Sequence, residues 1–243
     1  MYATVKRIAK TIIPKKFLLK NERFLRSIFA LKYRGNTHKC SVCLKTNSAF
    51  IVLESGDLLC PFCGSRSRTR HLFSYLKSKA LLQGDVLHFS PSRSLYHAMS
   101  TMANINYITT DFEDEFIAQH QYNICNIPHP DNSFDLIICY HILEHIPDDS
   151  KAMQELSRIL KPNGICLIQT PFKAGATYED KTIVTPEDRL AHFGQEDHVR
   201  IYSIANLQER LHLNGFDTVK INPVVKDEYW GILESQFLEA QSK

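Results

Sequence analysis

Residues 133–172 read SFDLIICYHILEHIPDDSKAMQELSRILKPNGICLIQTPF, and few folds accommodate such a string. Phe134–Tyr140 is an apolar run of the kind a parallel sheet buries on both faces. Pro147-Asp148-Asp149-Ser150 then breaks the chain and offers helix caps. Ala152, Met153, Leu156, Ile159 and Leu160 recur at helical spacing. Lys161-Pro162-Asn163-Gly164 ends that helix, with Gly164 suited to a left-handed cap. Residues 165–169 make a second buried strand. The string is a βαβ unit.

The alternation continues on both sides. Residues 85–90 (DVLHFS) predict a first strand, 94–102 a helix, and 105–109 a second strand ending at Asp111. A short third strand is expected over 121–127. Beyond the βαβ unit come a long loop, a helix near 204–213, a strand at 218–221 and an edge strand near 232–238. This order predicts an α/β class: a Rossmann-like, doubly wound, mostly parallel sheet with helices on both faces. In such sheets ligands bind at the carboxyl ends of the strands.

The chain of 243 residues divides into a basic amphipathic arm (1–36), a small cysteine module with its linker (37–79) and the α/β domain (80–243). The net charge of +3 hides an asymmetry. Residues 1–39 hold eleven Lys/Arg and one acid, which leaves −7 for the remainder. In the arm, Phe17, Phe24, Leu25, Ile28, Phe29 and Leu31 form an apolar stripe. That stripe either packs on the protein's own core or lies on an anionic membrane surface through residues 1–34. Phosphates of nucleic acid are a third partner for the arm. No apolar run approaches the ~18 residues that span a bilayer, and Lys and Arg interrupt the N-terminal apolar residues. The expected compartment is the cytoplasm, with peripheral membrane contact as the alternative.

Cys40-x2-Cys43 and Cys60-x2-Cys63 stand sixteen residues apart. Two such knuckles bring four thiolates together and suit a closed, structural Zn2+ site. Each resembles half of a zinc ribbon, and Gly64 gives the second knuckle a permissive turn. Arg66, Arg68 and Arg70 follow at alternate positions. In an extended strand they share one face and suit phosphate or carboxylate; on a helix they scatter.

The HxLEHIxD string at 141–148 and the RxLKPxG turn at 158–164 resemble the centre of a class I S-adenosylmethionine-dependent methyltransferase of the type 11 group. The resemblance spans roughly 86–216 and implies the Rossmann-like fold, S-adenosylmethionine as cofactor, and methyl transfer to an O or N atom. The glycine-rich loop common in that family is absent: the first strand leads into His88-Phe89-Ser90-Pro91-Ser92-Arg93-Ser94. With Leu95 and Tyr96 this resembles the LHFxPxxxLY loop of one branch of methyltransferase-like proteins. His88, Ser90 and Ser92 are expected in the cofactor site: Ser90, Ser92 and Ser94 can offer hydroxyls and N–H groups at a helix N-terminus to a carboxylate, with Arg93 able to pair with it. Asp111 ends the second strand, where Rossmann-like folds hold ribose hydroxyls. Glu113 and Asp114 are its rivals. Asn123 stands where the family often has Asp before the adenine contact, and Ile124 next to it is placed to cover the ring.

Tyr140 and His141 close the fourth strand and face the reacting end of the cofactor. His141 or His145 is suited to take a proton from the acceptor, with Glu144 orienting either. Residues 185–202 pack Gln, Glu, Asp, His and Arg around Gly194, as a lid or acceptor pocket would. Their GQxDHVRxY string resembles a segment of the same branch. His198 and Arg200 are expected on the acceptor, with Asp197 orienting His198. The acceptor expected is a small molecule or a glycan or lipid-linked precursor. The alternatives are a zinc-ribbon nucleic-acid-binding protein and an RNA methyltransferase.

Overall fold

A computed structural model describes residues 22–223 and 225–242. Residues 1–21 of the expected arm, Phe17 among them, lie outside the described residues. The described chain forms two compact units. One contains residues 22–80, 92–101 and 225–235; the other contains 81–91, 102–223 and 236–242.

In chain order, the first unit opens with helix α1 (Glu22–Phe29) and four two-residue strands. These are β1 (His38–Lys39), β2 (Thr46–Asn47), β3 (Ile51–Val52) and β4 (Leu58–Leu59), followed by helix α2 (Ser67–Ser78). Strand β5 (Gly84–Phe89) starts the second unit, whereas helix α3 (Arg93–Met99) groups with the first. The second unit continues with β6 (Ile105–Thr110), β7 (Phe134–Tyr140), α4 (Asp149–Ile159) and β8 (Leu160–Gln169). Then come β9 (Tyr178–Glu179), α5 (Pro186–Phe193), β10 (Arg200–Ile201), α6 (Ile204–Leu213) and β11 (Thr218–Ile221). Strands β12 (Val225–Asp227) and β13 (Ile232–Ser235) return to the first unit, and β14 (Leu238–Gln241) belongs to the second.

The second unit is built on a six-stranded sheet in the order β6-β5-β7-β8-β14-β11. The first four strands are parallel, and β14 runs antiparallel to both its neighbours. This is the expected mostly parallel α/β architecture. Leu136, Ile137, Ile138, Cys139, Cys166, Leu167 and Ile168 are buried in its centre, which accounts for their unbroken hydrophobicity. Helix α4 contributes Ala152, Met153, Leu156 and Ile159 to the core, and α6 contributes Leu207 and Leu211. Each large aliphatic side chain buried there contributes roughly 2 kcal/mol. Asp148 caps α4 by accepting from the Lys151 N–H at 3.0 Å. Strand order reverses at β5: the chain passes from β5 to β6 on one side, then to β7 on the other. The carboxyl ends of β5 and β7 therefore flank the crevice where such sheets take ligands.

Three local expectations change. No strand forms over 121–127; Asn123 instead makes a tight turn, its side chain accepting from the Cys125 N–H and its carbonyl from the Asn126 N–H, both at 2.9 Å. Strand β8 begins already at Leu160, and the left-handed residue is Asn163 (φ 64°), not Gly164. Gly164 is required for space, because a Cβ there would sit 2.8 Å from the Lys161 carbonyl. The edge strand expected over 232–238 is two strands: β13 pairs with β12, and β14 is interior to the large sheet.

In the first unit, Arg66-Ser67-Arg68-Thr69-Arg70 does not run extended. It enters α2, so the three arginines scatter around the helix. Arg66 faces Asp57 at 3.5 Å. Arg70 is fully buried and stacks 4.2 Å from the Phe50 ring. Its guanidinium donates to the carbonyls of Leu58 and Trp230 at 2.9 Å, and to those of Ser65 and Gly231. A shared phosphate-binding face is thereby overturned. On α1 and the turn after it, Phe24, Ile28 and Leu31 are exposed. No helix among the described residues is long and apolar enough to cross a membrane.

Candidate functional site

The cysteine module brings its four sulfurs together. Cys40 Sγ lies 3.7 Å from Cys63 Sγ, and Cys43 Sγ 3.8 Å from Cys60 Sγ. The two knuckles share one geometry. Leu44 N–H donates to the Cys40 carbonyl at 2.9 Å, and Gly64 N–H to the Cys60 carbonyl at 3.0 Å. Both residues are left-handed, at φ 59° and 73°. Gly64 supplies the turn expected of it; Leu44 makes the same turn without glycine's freedom. Ser65 Oγ touches Cys40 and Cys63 Sγ at 3.2 Å.

In the second unit, the end of β5 leads into a strained residue. Ser90 has φ 45°, the left-handed region where a glycine is usual, and its N–H donates to the Thr110 carbonyl at 2.7 Å. Its hydroxyl donates to Asp111 Oδ1 at 2.6 Å. Asp111 Oδ2 accepts from the Glu115 and Phe116 N–H groups at 2.6 and 2.9 Å. The carboxylate is thus oriented by three donors, and an ionised carboxylate has capacity for one more. A cleft of about 460 Å3 beside it is lined by Asp111, Asp114, Ala118, Gln119, His120 and Gln121. Phe112, directly after Asp111, leaves 62 % of its surface exposed. In the sequence Phe112 stands as a large ring directly after a strand-ending acid.

Other expected cofactor contacts are placed differently. His88 is buried inside the sheet, with Nδ1 2.8 Å from the Tyr107 hydroxyl, and burial pushes it down to about 3. Ile124 joins the hydrophobic core, so its side chain does not stand free to cover a ring. Ser92 belongs to the first unit, where its hydroxyl lies 3.2 Å from that of Ser94. Arg93 pairs with Glu22 at 2.7 Å.

The end of β7 gathers the histidines. Tyr140 is the last strand residue, and His141 turns the chain with φ 58°, its N–H donating to the Gln169 carbonyl at 2.7 Å. His141 Nδ1 lies 3.2 Å from Glu144 Oε1. His145 Nδ1 pairs with Asp197 Oδ2 at 3.0 Å, so Asp197 orients His145 and not His198. The His145 and His198 rings meet edge to face, with centroids 4.7 Å apart. Burial, then the neighbouring His145, holds His198 below the usual histidine range. The Val199 N–H donates to the Glu144 carbonyl at 2.9 Å and ties the 185–202 segment to this corner. Arg200 does not offer an open fork: it donates to the carbonyls of Leu143, Ile146 and Pro147 and to Glu179 Oε2. Arg210 and then Arg200 hold Glu179 down to about 2. Cys139 and Cys166 are buried, which pushes both thiols up and away from nucleophilic use.

The profile of the family described as "Methyltransferase domain" matches residues 60–221, more than half of the chain. The chain belongs to this methyltransferase family. Among curated relatives, the methyltransferase chain is 28% identical over 95 residues to a probable S-adenosylmethionine-dependent methyltransferase of Mycolicibacterium smegmatis, covering 39% of this chain and 33% of that one. It is 36% identical over 76 residues to a ubiquinone/menaquinone biosynthesis C-methyltransferase of Pseudoalteromonas translucida, covering 31% and 26%. It is 32% identical over 98 residues to a ubiquinone biosynthesis O-methyltransferase of Pasteurella multocida, covering 40% of each. The matches thus span between about a quarter and two fifths of these relatives' lengths. Asp111 and Tyr140–His141 lie at the carboxyl edge of the parallel part of the sheet.

Proposed function

We propose that the protein transfers a methyl group from S-adenosylmethionine to an oxygen or nitrogen of a small acceptor. The observation that carries this reading is the pairing of Asp111, already oriented beside an open cleft, with the His141–Glu144 pair at the end of β7. Asp111 would accept from ribose hydroxyls, and the exposed Phe112 ring would cover the base. When bound, S-adenosylmethionine supplies an electrophilic methyl group on a sulfonium. His141 would take the acceptor's proton at Nε2, because Nδ1 is held by Glu144.

The four thiols fit a structural Zn2+. Sulfurs at about 2.3 Å from zinc in a tetrahedron stand about 3.8 Å apart, and the two close pairs here lie at 3.7 and 3.8 Å. A four-thiolate site is closed to substrate, so its contribution is to folding.

Isothermal titration with S-adenosylhomocysteine tests the reading. The wild-type chain should bind, and Asp111→Asn should weaken binding about tenfold or more, as expected for loss of a charged hydrogen-bond acceptor. Failure of both S-adenosylmethionine and S-adenosylhomocysteine to bind at millimolar concentration would sink it.

A further inference from the structure

The corner after β7 holds more unmet polar capacity than methyl transfer requires. Glu144 is 1 % exposed, and its Oε2 has no partner among the described residues. His198 is 2 % exposed, and its Nδ1 likewise has none. In the tautomer with its proton on Nε2, Nδ1 presents a lone pair to the interior. A buried carboxylate oxygen and a buried imidazole lone pair are both acceptors, and leaving them unmet is costly. A cation satisfies both at once; a hydrogen-bonding side chain would have to serve two acceptors of different shape.

The third donor is His145. Donor atoms of Glu144, His145 and His198 all lie within 4.8 Å of one another. Ligands on one ion at about 2.1 Å stand roughly 3–4 Å apart, so movements of about 1 Å close the set. Asp197 on His145 Nδ1 is the kind of outer partner that fixes a ligand histidine in metal sites. We propose that Glu144, His145 and His198 bind a divalent first-row cation through one carboxylate oxygen and two ring nitrogens. Two imidazoles and one carboxylate leave coordination positions open. At the carboxyl edge of the sheet, those positions would take an oxygen of the acceptor. That use rests on the methyl-transfer reading; the binding of the ion does not.

The test uses the full chain in metal-scrubbed buffer with Mn2+ as the probe, an ion that four thiolates disfavour. Electron paramagnetic resonance should show free Mn2+ disappearing until a single ion per chain is bound. Spin-echo modulation from nitrogen should report bound imidazole. Glu144→Gln and His198→Gln should each weaken binding about a hundredfold or more, and Asp197→Asn about tenfold. His145→Gln, at a half-exposed position, replaces either buried variant that fails to fold. An undiminished Mn2+ signal at millimolar ion overturns the proposal. So does binding without nitrogen modulation, or binding that survives the ligand substitutions in folded protein. Titration of the same samples with S-adenosylhomocysteine separates the two readings: cofactor binding without Mn2+ defeats only the cation site, and Mn2+ binding without cofactor defeats only the reaction.

Discussion

Ser90 performs a task usually given to glycine and adds something glycine lacks. Its left-handed backbone costs about 1 kcal/mol, while its hydroxyl holds Asp111 at 2.6 Å. A hydrogen bond to a charged group contributes about 2 kcal/mol. Ser90→Gly trades one effect for the other and should lose about 1 kcal/mol. Ser90→Ala keeps the strain and loses the bond, so it should lose about 2 kcal/mol. Denaturant unfolding that ranks wild type above glycine above alanine bears this out; glycine above wild type refutes it. His88 makes a second prediction at this scale. Burial lowers it from 6.5 to about 3 in the folded state, so the unfolded chain binds the extra proton between those values. Its contribution is complete above pH 6.5 and is lost as pH falls toward 3. His88→Gln should flatten the stability profile across that window, measured by thermal unfolding against pH; an unchanged slope counts against it.

Among the elements, long periodic ones were legible and short ones were not. Strand β7, helix α4 and helix α6 declare themselves through unbroken or 3.6-spaced hydrophobicity, because burial selects those residues directly. The 121–127 segment looked like a strand, yet Asn123 closes a turn with its own side chain, a local bond that competes with sheet pairing. The alternate arginines suggested an extended strip, but the chain turns helical at Ser67 and takes Arg70 inside. Spacing alone could not show that four backbone carbonyls, two of them more than 150 residues away, would bind that guanidinium. At the site, Asp111 and His141 follow from strand ends. The pairing of Asp197 with His145 depends on how 185–202 folds back, which no local pattern records. Removing Arg70 strands its four carbonyl partners in a buried setting. Arg70→Met should therefore cost about 3 kcal/mol or more, read as a lower midpoint in thermal unfolding. A loss under about 1 kcal/mol would mean those carbonyls find other donors.

For the molecule as a whole, two kinds of stability coexist. The sheet unit rests on a continuous hydrophobic core, whereas the cysteine module has strands of only two residues each. Such a module is too small to hold itself by burial, and if the four thiols take the proposed Zn2+, its binding would become folding free energy. On that proposal, treatment with a strong chelator should abolish a distinct unfolding transition or lower it sharply, while the sheet's far-ultraviolet signal persists. Retention of the full melting profile after complete metal removal, verified by elemental analysis, would show that the thiols need no ion.

Strand β14 sits between β8 and β11, although residues 238–241 follow every other strand of that sheet in sequence. During synthesis β11 emerges with no neighbour to pair with and must wait for the segment that will separate it from β8. The parallel half can assemble while translation continues; completion of the antiparallel half is deferred until those four residues clear the ribosome. Until then the flank of β8 is an open template on which another strand could pair.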